Sequence, residues 1–428
     1  MSHADAVSQE FQDRNDGGPL LLDRDFLERA TIGFTSLVLL STLVLNQTHI
    51  ETNDAIKLAG KLELILRLTA TGLAGLLGLY GFLFVPKVRS VFFSFPGAWV
   101  FGILVFLLMG TALAEYPVYS APYFIIAVAV TLFSPFAFHV LGSKRFFDIV
   151  LLAMVVTLAG SWFLYLFLPE YGVKAEFISL TESIPRMAGT SHPNTLSGQT
   201  VLMMVIVSYL GFEGKRSWLF CLPLLAICTL TLYLTGTRVA AVAAVAAVLI
   251  VYRSFWFRVD VLPFTAAIAV AALLGALVLF SSEESNLISS SLVSSTRSGD
   301  IEEISSFTGR AVIWDYVIDM IHQRPLQGYG PGTAKIYLSE KQFLLHAHNE
   351  VLHLAFAGGI FAGACTAMIL LHQLFVSIVG RNRLAALLSF VIILVSMTEV
   401  PFYDYFPGNS TILFLTAVFW ADLDDGSL

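Results

Sequence analysis

The stretch FDIVLLAMVVTLAGSWFLYLFL, Phe147 to Leu168, decides the fold class. It holds one charged residue, Asp148, and Lys144 and Arg145 stand just before it. A helix needs about 20 apolar residues to cross the hydrocarbon of a bilayer, so this run is long enough to span. Outward from it the pattern recurs. Candidate helices fall at about 27–46, 58–85, 91–114, 121–142, 147–168, 196–212, 217–234, 238–253, 260–281, 348–379, 384–401 and 409–423. The second and tenth runs exceed a bilayer's thickness. Lys61, Glu63 and Arg67 open one, and His348 and Glu350 the other, so each is expected to begin outside the hydrocarbon. The last run is short enough to be re-entrant.

Composition points the same way. Of 428 residues, 57% are hydrophobic and only 13% charged, against about 25% charged in an ordinary soluble domain. Mean hydropathy is +0.78. So few charges cannot cover a water-soluble surface. A net charge of -7 without a basic stripe excludes a nucleic-acid partner. The expected fold is an all-α polytopic membrane protein of about 12 transmembrane helices embedded in the lipid bilayer. One membrane domain is expected over 27–424, after a polar, acidic, disordered tail at 1–26 with no cleavable signal peptide. Cys221, Cys228 and Cys365 lie in apolar runs and read as buried thiols.

Orientation follows from the basic residues. Alternate short loops carry Lys87 and Arg89, Lys144 and Arg145, Lys215 and Arg216, Arg253 and Arg258, and Arg381 and Arg383. The intervening short loops near 115–120 and 402–408 carry none. The basic set is expected to face the cytoplasm, with both termini. The outer side then holds loop 169–195, the turn 235–238 and the long segment 282–346. In that segment a Ser-rich strap (281–298) precedes a helix from about Thr308 to Gln323, ended by Pro325 and Gly328. Asp315, Asp319 and His322 share one face and Trp314, Val317, Ile318 and Ile321 the rest, so the helix lies on the membrane surface or packs on the bundle.

Four constellations can carry chemistry. Thr235-Gly236-Thr237-Arg238 places an arginine at a tight turn beside two hydroxyls and open backbone N–H groups, which suits an anion. A snorkelling arginine at a helix end has the same pattern, but Arg238 breaks the charge rule in the shortest outer loop. Thr308-Gly309-Arg310 sets a cation in a first helical turn, where it opposes the dipole unless an anion is bound. His346-Ala347-His348-Asn349 puts a titratable group at an outer helix mouth, where it can take a proton from a hydroxyl. These histidines with Glu350 are also compatible with a metal, although no third ligand falls at a known spacing. His192-Pro193-Asn194 either lines the outer cavity or caps a helix through Asn194 or Thr195. Two Asp-x-Asp pairs, Asp23–Asp25 and Asp422–Asp424, fall on the cytoplasmic side, away from all four.

The order Thr-Gly-Thr-Arg238, Thr-Gly-Arg310 with Trp314, Arg-Pro-Leu-Gln-Gly-Tyr-Gly330, then His-Ala-His348-Asn349 resembles the bacterial O-antigen ligase and polysaccharide polymerase superfamily. The resemblance covers roughly 190–380, and Thr308 to Gly330 looks like exopolysaccharide polymerases. Gly359 falls where the family's tail expects it, whereas Ala362 replaces a usual Gly, Thr or Tyr. The resemblance implies a GT-C-like bundle in the inner membrane with its active site facing the periplasm. It implies a glycosyltransferase that needs no metal or other cofactor. The donor would be a glycan on undecaprenyl diphosphate, and the acceptor a sugar hydroxyl on another repeat unit (polymerase) or on a lipid A core (ligase). Polysaccharide assembly proteins would be possible partners. His348 would be the general base, Arg238 and Arg310 the diphosphate clamp, and Asn349 would orient His348 or the acceptor. His346, Thr237 and Asn194 would line the substrate site. A lipid-linked-oligosaccharide flippase or secondary transporter would share the helix count. It should show charged or broken helices near the midplane, whereas here the distinctive residues cluster outside.

Overall fold

The computed structural model describes residues 22–40, 54–177, 183–253, 310–339, 346–380, 382–401, 403 and 409–423. In chain order these form α1 (Arg24–Leu40), α2 (Asp54–Phe84), α3 (Pro86–Val91), α4 (Phe95–Ala112), α5 (Pro117–Phe167) and α6 (Pro169–Gly172). The strands β1 (Val173–Phe177) and β2 (Ser183–Met187) follow, then α7 (Pro193–Phe212), α8 (Trp218–Thr235) and α9 (Arg238–Val251). After α9 come α10 (Arg310–Gln323), α11 (Ala334–Ser339), α12 (Glu350–Gly358), α13 (Ile360–Val379), α14 (Arg383–Ser396) and α15 (Asn409–Leu423).

This is a multi-pass membrane protein. Six of the described helices are long and apolar enough to cross a bilayer: Ile65–Phe84, Phe95–Ala112, Pro117–Phe167, Pro193–Phe212, Trp218–Thr235 and Ile360–Val379. Gly142 (φ 69°, ψ 162°) breaks α5 into two arms of about 25 residues, each long enough to span. These are the two helices the sequence separates at Lys144–Arg145. Val242–Val251, Arg383–Ser396 and Asn409–Trp420 are apolar but shorter. The expected run 260–281, the Ser-rich strap and Thr308 lie outside the described residues.

The described residues are mostly helical, in keeping with the expected all-α class, with one small antiparallel hairpin in loop 169–195 that pairs Val173 with Met187 and Phe177 with Ser183. One expectation needs correction. The single helix expected over 348–379 is two. At Gly359 (φ 81°, ψ 175°) the chain leaves the helix, in a region open essentially to glycine alone. A Cβ there would overlap the Leu326 carbonyl. The Arg-Pro-Leu-Gln-Gly-Tyr-Gly segment fills the break: Ile360 N–H donates to Pro325 O at 2.7 Å, and Tyr329 N–H to Phe356 O at 2.8 Å. Sequence periodicity cannot register such a break, because the residues on both sides stay apolar.

The apolar side chains form a large core across α1 to α5, α7 to α9 and α12 to α15. A smaller one joins α10 to α12 through Ile313, Val317, Met320, Ile321, Ala347 and Phe356. The outer-segment helix therefore packs on the bundle. The loops that carry Arg145, Arg216 and Arg383 share one end of the molecule. Arg145 pairs with Glu28, Arg216 lies 3.8 Å from Asp148, and Arg383 lies 2.7 Å from Glu213. Tyr252 donates its hydroxyl to the same Glu213 carboxylate. Asn194 lies in the first turn of α7, the helix that ends beside Glu213, and the 20 residues of α7 at 1.5 Å rise separate the two ends by about 30 Å.

Candidate active site

At the end opposite the basic loops, polar side chains from α7, α10 and the turn before α12 converge on one carboxylate. Glu399 follows α14, its N–H bonded to Val395 O. Its Oε1 accepts from Arg310 Nη2 at 2.8 Å and from Asn194 Nδ2 at 2.9 Å. Its Oε2 meets His348 Nδ1 at 3.2 Å. An ionised carboxylate only accepts, so Nδ1 carries a proton, and in the neutral ring Nε2 carries the lone pair. His348 is 3% exposed, and its Nε2 is buried with no hydrogen-bond partner among the described residues.

Local sequence explains how each group is held. His348 has φ 49°, an uncommon backbone for a residue with a Cβ and one that clusters at functional sites. Asn349 ends that turn by capping α12, its Oδ1 accepting from Leu352 N–H at 3.1 Å. It is not bonded to His348; it fixes the backbone that carries the ring. Trp314 Nε1–H donates to Ala347 O at 3.0 Å and ties α10 to the histidine turn. His346 Nδ1 accepts from the His348 N–H at 3.3 Å, with the two rings 4.1 Å apart.

Arg310 is the first described residue of α10. The anion that balances it is the protein's own Glu399. Asn194 does not cap α7. His192 does so, accepting from the Asn194 N–H at 3.3 Å, and Pro193 follows at the first helical position, where its missing N–H costs nothing. The Asn194 side chain is thereby left for the site.

Arg186 on β2 and Glu399 escape the sequence reading. Arg186 is 4% exposed. Its Nε–H donates to Thr235 O at 2.6 Å, and its Nη2 to Asn194 Oδ1 at 2.9 Å and Thr237 Oγ1 at 3.0 Å. It fixes the 235–237 turn, which Gly236 (φ 64°) closes as a left-handed helix end. Thr237 makes no side-chain cap on α9, so its hydroxyl, taken by Arg186, leaves the first N–H groups of that helix uncapped. Arg238 opens α9 beside it; its side chain lies outside what the structure describes. Both missed residues left a trace in the sequence. Arg186 is a cation in loop 169–195, which the charge pattern assigns to the side away from the basic loops, and Glu399 is an acid inside an apolar run, which is a functional signal by default.

The electrostatics set distinct roles. Burial, then the neighbouring His348 and Arg310, lowers the His346 pKa to about 4 against the pull of Glu399. Burial alone would raise Glu399. The His348 hydrogen bond and the charges of His348, His346 and Arg310 outweigh it and hold the carboxylate at about 2. His346, His348 and Glu399 could also hold a metal, since one ligand atom from each lies within 4.8 Å of the others. Glu399 is the third donor that local spacing did not supply. In that use Glu399 would have to be shared with Arg310 and Asn194, so the donor set suits a hydrogen-bonded dyad better than a metal.

The sequence model of the O-antigen ligase family matches residues 223–367, from α8 into α13. This span supports the O-antigen ligase and polymerase superfamily and includes Arg238, Arg310 and His348. No curated protein matches the chain.

Proposed function

From this family match as premise, we propose that the chain is an inner-membrane glycosyltransferase of the O-antigen ligase and polymerase type, with its site on the periplasmic face. One observation carries the reading: a buried His348 whose Nδ1 is bonded to Glu399 Oε2 and whose Nε2 is unpartnered, with Arg310 on the same carboxylate. A carboxylate that fixes the imidazole tautomer leaves Nε2 as a base. The acceptor hydroxyl attacks the anomeric carbon of a glycan on undecaprenyl diphosphate and gives its proton to Nε2. The bond from that carbon to the diphosphate oxygen breaks, and the diphosphate departs with the electron pair. Arg310, Arg238 and the start of α9 balance the departing charge, as preorganised donors do. No metal is required in this scheme.

The positive-inside pattern and the gathering of the Arg145, Arg216 and Arg383 loops at the opposite end support the periplasmic assignment. The resemblance of Thr308 to Gly330 favours exopolysaccharide polymerisation over ligation to a lipid A core. The test is transfer by the purified protein from an undecaprenyl-diphosphate glycan, with His348→Ala alongside. Turnover in the parent and none in a folded His348→Ala protein is expected. Equal turnover in both would overturn the base assignment, and no turnover with either acceptor class would overturn the activity.

A further inference from the structure

The small core under α10 and α12 has two rims. One carries Arg310 and His348. On the other, Tyr329 stacks on Phe356 with ring centroids 4.8 Å apart, and Tyr337 meets Tyr329 edge-on at 4.9 Å. Tyr116, from the turn between α4 and α5, lies 6.2 Å from Tyr337. Glu115 Oε2 accepts the Tyr337 hydroxyl at 2.9 Å and Arg324 Nη2 at 3.4 Å. The Arg324 guanidinium lies 4.8 Å over the Tyr329 ring. Glu115 and Arg324 keep 50% and 31% of their side chains exposed, and Tyr116 is 41% exposed. A carboxylate, a guanidinium and aromatic rings thus face outward together.

The backbone beneath is fixed by bonds that use none of these side chains. Gly330 N–H donates to Ala357 O at 2.8 Å, and the Tyr329 and Ile360 bonds already described flank it. Gly328 (φ 64°) fits against the Gly359 break, where a Cβ would overlap backbone. An exposed ion pair adds little stability, so packing accounts for the Tyr329 and Tyr337 rings but not for the Glu115–Arg324 pair beside Tyr116. Its chemistry matches a pyranose. The C–H face of a sugar packs on an aromatic ring. Neighbouring hydroxyls donate to a carboxylate and accept from a guanidinium, in charge-assisted bonds stronger than neutral ones. Glu115 and Arg324 cancel in charge, which suits a neutral ring. Rigid placement lowers the entropy cost of binding.

We propose that Glu115, Tyr116, Arg324 and Tyr337 form a saccharide subsite. It would hold a neutral sugar of the glycan chain whose reacting end lies at His348. The role at a distance from the reacting sugar rests on the proposed function; the saccharide chemistry does not. Along α12, the seven steps from Asn349 to Phe356 rise about 10 Å, so the subsite serves a sugar set back along the chain. Donor and acceptor glycans share this chemistry, and the test separates them.

The probe is a size-graded series of oligosaccharides released by mild acid from the producing cell's own surface polysaccharide. Binding to the purified full-length His348→Ala protein is followed by saturation-transfer NMR and calorimetry, without turnover. Adding Tyr116→Ala or Glu115→Gln should weaken the longer fragments about five- to tenfold, the weight of one aromatic contact or charge-assisted bond. Unchanged affinity in both folded variants overturns the subsite. In the His348-intact protein, the substrate series that loses its length preference on Tyr116→Ala, donor or acceptor, identifies the chain that occupies it. Length preference retained in both series overturns the proposal. Lost binding with no transfer by the parent would leave the subsite standing and sink the proposed function. Transfer with unaltered binding would do the reverse.

Discussion

Glu399→Gln removes one charge and changes little shape. The substituted amide can still offer a carbonyl oxygen to Arg310 Nη2 and Asn194 Nδ2, which meet the native Oε1 at 2.8 and 2.9 Å. Its N–H₂ group then falls where Oε2 accepts from His348 Nδ1 at 3.2 Å. Two donors cannot face each other, so the imidazole must move its proton to Nε2 and turn Nδ1 into the acceptor. The lone pair is thereby removed from the atom that takes the acceptor proton. Positioned general bases contribute about 10²–10⁴ in rate, and a carboxylate-to-amide change that reverses a catalytic imidazole costs up to about 10⁴ in the serine-protease case. At 1.36 kcal/mol per decade this is roughly 3–5 kcal/mol of barrier. The loss should fall on kcat, with KM nearly unchanged. Stability should drop by only about 1–3 kcal/mol, the cost of disturbing one buried polar partner. Single-turnover transfer from an undecaprenyl-diphosphate glycan measures the first effect, and thermal melting in detergent the second. Full activity in Glu399→Gln, with His348→Ala inactive, would refute the tautomer argument.

Arg310→Lys keeps the charge but not the planar fork; it and Arg238→Lys should each lose about 10²–10³ in rate, and near-normal rates would remove both from the clamp. Activity should survive EDTA; loss restored by magnesium or manganese would move His346, His348 and Glu399 from dyad to metal site. Glu399 titrates near 2 when folded, against an ordinary 4.5. Its contribution to stability is therefore complete above about pH 4.5 and is lost as pH falls toward 2, and acid melting curves of Glu399→Gln should lack that slope. Gly359→Ala should destabilise by at least about 1–3 kcal/mol, visible as a lower melting temperature. In a background without native cysteines, Ser291→Cys should react with an impermeant thiol reagent once the outer membrane is permeabilised, and Ser217→Cys should not. The reverse pattern would invert the topology.

The long apolar helices were legible in the sequence, because hydropathy is a sum over local residues. Lys144–Arg145 separated the two arms of α5 in advance of Gly142. Arg310, His346, His348, Thr237 and Asn194 were legible too, each as an oddity of charge or turn chemistry within a short window. What the sequence could not provide was the carboxylate between them. Glu399 lies 51 residues from His348, 89 from Arg310 and 205 from Asn194, separations at which no periodicity operates. Only packing of α7, α10 and α14 brings them within hydrogen-bond distance. The same packing turned Asn194 from a helix cap into a site residue, since His192 took the cap ahead of the position that a count of hydroxyls and amides suggests. It broke the 348–379 run at Gly359, where the Pro325–Tyr329 strap supplies bonds from outside the helix. Local chemistry names the groups that can act; which of them share a proton or a charge is decided by contacts made across the fold.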